Sequence, residues 1–294
     1  MELSQHQMEK HLHRLKPLLT GCSLETARLG QDALGTLLAG RQRRQVQFQP
    51  VSFPNFSACM IQPKHHQESG CLLYLHGGGY TCGSLAYAKG FGSVLAAAAE
   101  LPVLCPAYRL APEHPFPAAL EDAAAAYRYL LQVYRPNQLL LCGESSGGGL
   151  CYALCLYVKG KGLPLPGGII GISPWTDLTV SCPSQVRNRA VDPSMTPERL
   201  AFFAGCYTEH PMEPLASPLF GDLRGLPPSL LFVGGNEVML DDARLLHEKL
   251  LHSGCESRLT IAPGLWHAYV LYGLKERCCD IDAIARFCHG QLSA

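Results

Sequence analysis

A serine between two glycines is the first feature of this sequence that could carry out chemistry. Residues 143–147 read Gly-Glu-Ser-Ser-Gly and place Ser145 at their centre. The segment follows the apolar run 138–142 and opens a helical pattern, and a sharp turn between a strand and a helix lifts a serine hydroxyl clear of a sheet. The helix N-terminus behind the serine favours developing negative charge. By itself the pentapeptide does not separate a nucleophile from an ordinary glycine-rich turn.

A second segment places His76 before three glycines, directly after the apolar run 71–75. Consecutive glycines allow backbone N–H groups to face a ligand instead of entering secondary structure. We therefore predict an oxyanion hole formed by the N–H groups of Gly77, Gly78 and Ser146. The alternatives are a flexible turn and a phosphate loop. A phosphate loop requires GxxxxGK[ST], or GxGxxG opening a helix, and this segment has neither pattern.

A serine nucleophile needs a general base, and the chain has twelve histidines. If the catalytic residues follow the chain order serine, acid, histidine, the candidates are His210, His247, His252, His267 and His289. His247 and His252 fall inside a helical pattern, and His289 lies at the end of another. His267 lies on a loop just after an apolar run, where its side chain can reach over the edge of a sheet. We predict that His267 is the base.

The acid that orients the histidine should follow the apolar run 230–234, which precedes the run before His267. Glu237 lies in the loop after this run, whereas Asp241 and Asp242 lie where the next helix should begin. Acidic residues at a helix start commonly serve as caps. We predict that Glu237 is the acid, with Asp241 as the alternative.

These segments need a scaffold that brings strand ends together. From about residue 43, short apolar runs alternate with helical patterns, which is typical of parallel βαβ construction. The predicted strands are 45–49, 58–62, 71–76, 103–107, 138–142, 168–173, 230–234 and 258–262. The predicted helices are 87–100, 117–134, 146–159, 241–252 and 275–290. The predicted fold class is α/β, with an open, mostly parallel sheet covered by helices on both faces.

Two segments stand outside this alternation. Residues 1 to about 40 predict two amphipathic helices with a break at 20–22. Residues 181–216 contain Asp-Pro-Ser-Met-Thr-Pro, a helix start signal, before a helix over 198–207. Both segments could form a lid or simply cover sheet edges. We expect a single domain over residues 1–294, with a small helical cap formed by about 1–40 and 181–216.

Composition excludes several functional classes. The 24 Lys and Arg residues balance 24 Asp and Glu residues, so the chain lacks the basic field that nucleic-acid binding needs. Residues 1–21 contain no hydrophobic core of a signal peptide, and the apolar runs are too short for stable membrane insertion. The fourteen cysteines form no CxxC pair, which favours reduced thiols in a cytoplasmic protein. No metal-ligand spacing is present, so we expect no metal and no cofactor.

Together these segments resemble the hormone-sensitive-lipase-like α/β-hydrolases, a family of carboxylesterases and lipases that includes arylacetamide deacetylases and plant carboxylesterases. The resemblance covers about residues 45–290. It rests on His-Gly-Gly-Gly at 76–79, Tyr-Arg-Leu-Ala-Pro-Glu-His-Pro-Phe-Pro-Ala at 108–118 with Asp122, Gly-Glu-Ser-Ser-Gly-Gly at 143–148, Ser-Pro-Trp-Thr-Asp-Leu at 173–178, and the loop at His267. The family implies an eight-stranded sheet, a helical cap and ester hydrolysis without a cofactor.

The chain departs from the family pattern around the nucleophile and the acid. Glu144 and Ser146 replace the Asp and Ala of the usual GDSAGG motif, and we expect no loss of activity from either change. The usual Asp-Pro-Leu-x-Asp motif is matched at 237–241 only if Glu237 fills the acid position. Tyr80 follows the glycines where an aromatic residue is common, so we assign it to the substrate pocket or to packing of the loop. The residues expected to hold the loops beneath are Tyr108, Arg109, Glu113 and Asp122.

The sequence thus predicts a serine hydrolase that cleaves small, short-acyl carboxylic esters. Ser145 would attack the carbonyl, His267 would take its proton, and Glu237 would orient the imidazole. Deacetylation of an arylamide or an acetylated sugar is the alternative, because the same three residues serve either leaving group. A non-catalytic ligand receptor on this scaffold is a further alternative, although such receptors lose the histidine that is present here. The natural substrate and the possibility of a homo-oligomer stay open.

Overall fold

Eight strands form one sheet in the order β1-β2-β4-β3-β5-β6-β7-β8. The computed structural model describes residues 4–65 and 70–293. The strands are β1 (Val46–Ser52), β2 (Ser57–Pro63), β3 (Cys71–Leu75), β4 (Val103–Ala107), β5 (Leu139–Glu144), β6 (Gly168–Ile172), β7 (Ser229–Gly234) and β8 (Ser257–Ala262). β2 pairs antiparallel with both β1 and β4, and the remaining pairs are parallel. The mostly parallel α/β sheet predicted from the sequence is confirmed.

Helices cover both faces of the sheet. They are α1 (Gln5–Gly21), α2 (Leu24–Gln42), α3 (Leu85–Ala99), α4 (Ala118–Leu130), α5 (Ser146–Gly160), α6 (Pro183–Arg187), α7 (Pro197–Tyr207), α8 (Leu240–His252) and α9 (Cys278–Leu292). Apolar residues of α4, α5 and α8 form one buried cluster with the sheet, and residues of α3 and α9 form another. Strands buried on both faces explain why β3, β5, β6 and β7 read as continuous apolar runs.

The element boundaries differ from the predicted ones by a few residues, for local reasons. α3 begins at Leu85 because the Ser84 hydroxyl accepts the Ala86 N–H at 3.0 Å, which supplies an N-cap. α9 begins only at Cys278 because the three preceding residues form a 3₁₀ turn. The short helix α6 was not predicted at all.

The segments predicted to form a cap are helical as expected. The first segment contains α1 and α2. The helical structure is interrupted between them, and α2 begins where the Ser23 hydroxyl accepts the Thr26 N–H at 3.2 Å and caps the helix. The second contains α6 and α7, and Thr196 caps α7 through the Arg199 N–H. Residues 1–3 of the predicted cap, and residue 294 of the predicted domain, lie outside the described residues.

Two further features concern membrane-spanning helices and the state of the cysteines. Across residues 4–65 and 70–293, no helix combines the length and the apolar character that a bilayer crossing requires. All fourteen cysteines carry free thiols, and ten of them are buried.

Candidate active site

Ser145 occupies the sharp turn between β5 and α5. Its backbone has φ 55° and ψ −126°, a conformation that side-chain-bearing residues rarely adopt. The turn is possible because Gly147 packs directly on the end of β3, where an added Cβ would lie 2.0 Å from the Leu75 carbonyl oxygen. The Ser145 N–H donates to the Ile172 carbonyl at 2.9 Å. The neighbouring strand β6 therefore fixes the sharp turn that was predicted for the nucleophile, and the turn is strained at Ser145.

His267 and Glu237 lie in direct contact at the same edge of the sheet. The distance between His267 Nδ1 and Glu237 Oε2 is 2.8 Å. Because an ionised carboxylate only accepts hydrogen bonds, this contact places the imidazole proton on Nδ1 and leaves Nε2 as a proton acceptor. Glu237 is fully buried, and His267 is 8% exposed. The structure thus brings together the base and the acid predicted from the sequence.

Ser173, for which no role was predicted, joins these two residues. Its hydroxyl donates to Glu237 Oε1 at 2.8 Å and accepts the Ala268 N–H at 3.0 Å. The Gly234 N–H also donates to Glu237 Oε1. Ser173 follows β6, which lies between the strand before Ser145 and the strand before Glu237. This position at the carboxyl edge of the sheet is the signal by which Ser173 could have been identified from the sequence.

The second predicted cap segment also holds the loop that carries Glu237. The Asn188 side-chain amide donates to the carbonyls of Gly235 (3.1 Å) and Glu237 (2.8 Å). The Asp192 carboxylate accepts the Val238 N–H at 2.9 Å. These contacts cross more than forty residues of sequence, so no local pattern could have revealed them. They fix the loop that carries Glu237 from above the sheet.

Asp241 lies in the first turn of α8, but the prediction that it caps this helix is wrong. The N-cap position is Met239, and no side chain caps the helix there. Instead the Asp241 carboxylate accepts the Ser184 N–H at 2.8 Å and contacts Arg187 Nη2 at 3.1 Å. Its hydrogen-bonding capacity is therefore directed at α6 rather than at an imidazole. Both histidines of α8 that were considered as bases contact other groups: His247 Nδ1 lies 2.8 Å from Ser257 Oγ, and His252 Nδ1 lies 2.7 Å from the Glu248 carbonyl oxygen.

The predicted oxyanion loop differs from expectation at its first glycine. The Gly77 N–H donates to Glu144 Oε1 at 2.6 Å. This hydrogen bond removes Gly77 from the predicted set of oxyanion donors, because its N–H already has a strong acceptor. Within the described part of the chain, the N–H groups of Gly78 and Gly79 have no such acceptor. Ser146 is the first residue of α5, where a helix leaves its N–H groups unpaired.

The two residues that flank Ser145 hold the oxyanion loop at both ends. Glu144 accepts the Gly77 N–H, and the Ser146 hydroxyl accepts the Tyr80 N–H at 3.2 Å. Both are the positions at which the chain departs from the usual family motif. The Glu144 carboxylate is also bonded by the hydroxyls of Tyr74 (2.6 Å) and Tyr87 (3.0 Å). Burial raises the pKa of Glu144 to about 7, even though these hydrogen bonds lower it.

Tyr80 packs the loop rather than lining an open pocket. Its ring is 1% exposed and stacks on Tyr207 with centroids 3.8 Å apart and an interplanar angle of 4°. Its backbone φ of 61° turns the chain immediately after the glycines. The structure therefore matches the packing role that the sequence left open for Tyr80. Three of the four residues expected to hold the loops beneath do so, since the Tyr108 hydroxyl donates to the His76 carbonyl at 2.6 Å and Arg109 pairs with Asp122. The fourth, Glu113, is exposed and pairs instead with Arg28 of α2 at 2.7 Å.

Both predicted cap segments reach the oxyanion loop. A Cβ added to Gly78 would lie 3.0 Å from Oε1 of Gln31, which belongs to α2. A Cβ added to Gly79 would lie 2.4 Å from the ring of Phe203, which belongs to α7. Ser145 itself is only 7% exposed. Gly79 must be glycine because the Phe203 ring packs directly on its backbone, whereas Gly78 must be glycine because its φ is 119° and an added Cβ would lie 2.3 Å from the Cys82 carbonyl oxygen.

The electrostatic surroundings of His267 favour its charged form. Burial lowers its pKa, but the hydrogen bond and the charge of Glu237, with smaller contributions from Asp192 and Glu144, outweigh burial and raise the pKa above its ordinary value. An imidazolium formed here would therefore be stabilised by neighbouring carboxylates. Among the described residues, no group of three His, Cys, Asp or Glu side chains could hold a metal ion.

The chain is similar to known proteins in sequence and in structure. Residues 72–271 match a family described by the alpha/beta hydrolase fold. An acetyl-hydrolase of Streptomyces hygroscopicus is 42% identical over 225 residues, which are 76% of this chain and 75% of that protein. A solved esterase of the bacterial hormone-sensitive lipase family has a TM-score of 0.89 at 33% identity and covers 99% of this chain and 100% of its own. The esterase EstE5, soaked with p-nitrophenyl butyrate, has a TM-score of 0.88 at 34% identity, covering 96% of this chain and 99% of its own.

Proposed function

This chain belongs to the hormone-sensitive-lipase-like α/β-hydrolases, a family of ester hydrolases, and we propose that it hydrolyses short-acyl carboxylic esters through Ser145, His267 and Glu237. The observation that carries the proposal is the 2.8 Å contact between His267 Nδ1 and Glu237 Oε2. It lies at the carboxyl edge of the sheet, where Ser145 occupies a strained turn. A buried pair of this kind supports proton transfer to and from a neighbouring hydroxyl.

The proposed mechanism uses Ser145, His267 and Glu237 for attack and proton transfer, and the oxyanion loop to stabilise the negative charge that forms. Ser145 Oγ attacks the ester carbonyl while His267 Nε2 takes its proton, and Glu237 stabilises the imidazolium that forms. The negative charge on the former carbonyl oxygen faces the N–H groups of Gly78, Gly79 and Ser146. The imidazolium then protonates the leaving alcohol, which gives an acyl-enzyme. Water repeats the sequence and releases the carboxylic acid and free Ser145.

The acyl group is proposed to be short, with acetyl esters preferred. Gln31 and Phe203 lie directly on the oxyanion loop, so little room is available above the scissile carbonyl for a long chain. The name of the Streptomyces hygroscopicus relative, an acetyl-hydrolase, supports the same acyl group. Deacetylation of an arylamide or an acetylated sugar, which is the alternative function, would transfer the same acetyl group and differ only in the leaving group.

The test is a series of p-nitrophenyl esters with acyl chains from acetate to decanoate, measured beside acetylated sugars and acetanilides. We expect kcat/KM to be highest for acetate, to stay measurable up to butyrate and to fall steeply beyond, because longer chains must displace the covering side chains. A serine-reactive phosphonate should label Ser145 alone, as read by mass spectrometry of the peptide. Absence of turnover on every short ester, with no labelling, would contradict the proposal.

The pH dependence of kcat/KM should report His267. The imidazole must be neutral to accept a proton, so activity should rise with pH through the pKa of His267 in the free enzyme. Because that pKa is raised, we expect the midpoint of this rise to lie above 6.5, the ordinary value for histidine. A pH series with p-nitrophenyl acetate, corrected for spontaneous hydrolysis, measures the midpoint. A midpoint clearly below 6 would mean that the contact with Glu237 is not formed in the working enzyme.

We also place the protein in the cytoplasm. The fourteen free thiols, most of them buried in strands and helices, support a reducing compartment, where disulfides are rare.

A further inference from the structure

The outer face of α2 is apolar and exposed. Leu29, Leu34 and Leu37 are 67%, 42% and 54% exposed, and Gly30 and Ala33 between them are also exposed. No charged side chain interrupts this surface, which we call the α2 stripe. Large exposed side chains gathered on one helix face commonly mark an interaction site.

The opposite face of α2 is fixed against the body of the protein. Gly35 packs on α3 so closely that an added Cβ would lie 2.4 Å from the Ala86 carbonyl oxygen. Asp32 accepts the Ser84 hydroxyl at 2.7 Å, and Arg28 Nε donates to the Thr81 carbonyl at 2.8 Å. The helix therefore cannot rotate to bury its leucines. The α2 stripe is a permanent surface feature.

Two pairs of residues on this side of α2, one apolar and one charged, lie symmetrically about Ala33, whereas Leu34 has no apolar counterpart. Leu29 and Leu37 each lie four residues from Ala33, and Glu25 and Arg41 each lie eight residues away. Glu25 and Arg41 are exposed, and in the described chain neither forms an ion pair. A second α2 that runs antiparallel across a two-fold axis at Ala33 would meet leucine with leucine and opposite charge with opposite charge.

We propose that the α2 stripe is a dimer interface, occupied by α2 of a second copy of this chain in antiparallel orientation. Leu29 packs against the partner's Leu37, the two copies of Ala33 meet at the axis, and Glu25 pairs with the partner's Arg41. Small residues at the centre, Gly30 and Ala33, let the two helices approach closely. The Leu29–Leu37 and Glu25–Arg41 contacts each occur twice by symmetry, and the Ala33 contact on the axis occurs once. The interface thus covers the outer face of the helix whose inner face holds the oxyanion loop.

The first test measures the dimer dissociation constant by analytical ultracentrifugation. We expect a dimer for the wild type, and a dissociation constant increased by about 100-fold in Leu29→Asp, because two buried leucines are lost per dimer. Leu18→Asp is the matched control, since Leu18 is 61% exposed on α1, outside the stripe. It should dimerise like the wild type. A monomeric wild type at high micromolar concentration would overturn the proposal.

The charges test the orientation. Glu25→Arg alone and Arg41→Glu alone should each weaken the dimer, by about tenfold, since each places like charges together twice. The double variant Glu25→Arg/Arg41→Glu restores both pairs and should return the dissociation constant to near the wild-type value. Lack of restoration would rule out the antiparallel arrangement, even if a dimer exists. A variant that merely disturbs α2 would not be rescued by the second change.

A cross-link tests the position of the axis without relying on affinity. Ala33→Cys should form a disulfide with its own copy under mild oxidation, because the two Cα atoms lie close at the axis. Gly40→Cys is the control, since its two copies would lie about 21 Å apart along antiparallel helices. Peptide mass spectrometry separates these products from those of the native thiols. Equal cross-linking of both variants, or binding of monomers to anionic phosphatidylglycerol vesicles through Leu29 instead, would overturn the proposal.

Discussion

Replacing Ser145 with alanine is expected to abolish ester hydrolysis while leaving the fold intact. The hydroxyl is the proposed nucleophile, and removal of a catalytic serine from such a site costs on the order of 10⁶ in kcat. The strained turn should keep its conformation in this variant. Gly147 still allows the turn to pack against β3, and the backbone N–H of residue 145 still donates to the Ile172 carbonyl. The effect should therefore appear in kcat and not in the melting temperature.

The measurement is hydrolysis of p-nitrophenyl acetate at high enzyme concentration, with thermal unfolding followed in parallel. Alanine relieves no packing at this site, so a melting temperature close to that of the wild type is the control for folding. The phosphonate that labels the wild type should leave the Ser145→Ala protein unmodified. Turnover within tenfold of the wild type would remove Ser145 from the mechanism, and with it the proposed role of the oxyanion loop.

The sequence predicted which candidate site residues meet at one edge of the sheet, because their positions follow from strand order. In a parallel sheet the carboxyl ends of neighbouring strands meet at one edge, so a residue just after β5, β7 or β8 must lie near the others. This places Ser145, Glu237 and His267 from local patterns alone. Ser173 follows β6 at the same edge and was identifiable by the same reasoning.

Other parts of the site depend on which way a backbone group or side chain turns. The assignment of Gly77 as an oxyanion donor failed because the direction of its N–H is set by Glu144, a residue on a different strand. Asn188 and Asp192 lie in the second predicted cap segment, yet their partners are in the loop after β7. Spacing along the chain carries no information on such contacts, since they form only when the segments pack.

Glu237→Gln is expected to fold normally and to lose on the order of 10⁴ in kcat. The replacement has the same shape, but it can present an amide NH₂ group to His267 Nδ1, which favours the wrong tautomer of the imidazole. It also removes the negative charge that stabilises the imidazolium during the reaction. Because Glu237 raises the pKa of His267, the residual activity should rise with pH at a lower midpoint than in the wild type.

Asp241→Asn provides the matched control, since it also exchanges a carboxylate for an amide four residues further along the chain. The Asp241 carboxylate contacts Ser184 and Arg187 of α6, so its loss should weaken this attachment and lower the melting temperature. It should leave most of the turnover and the pH midpoint unchanged. The two variants therefore separate orientation of the base from attachment of α6. If Asp241→Asn lost turnover and Glu237→Gln kept it, the acid would be Asp241, and the Glu237 contact would be a feature of the resting structure only.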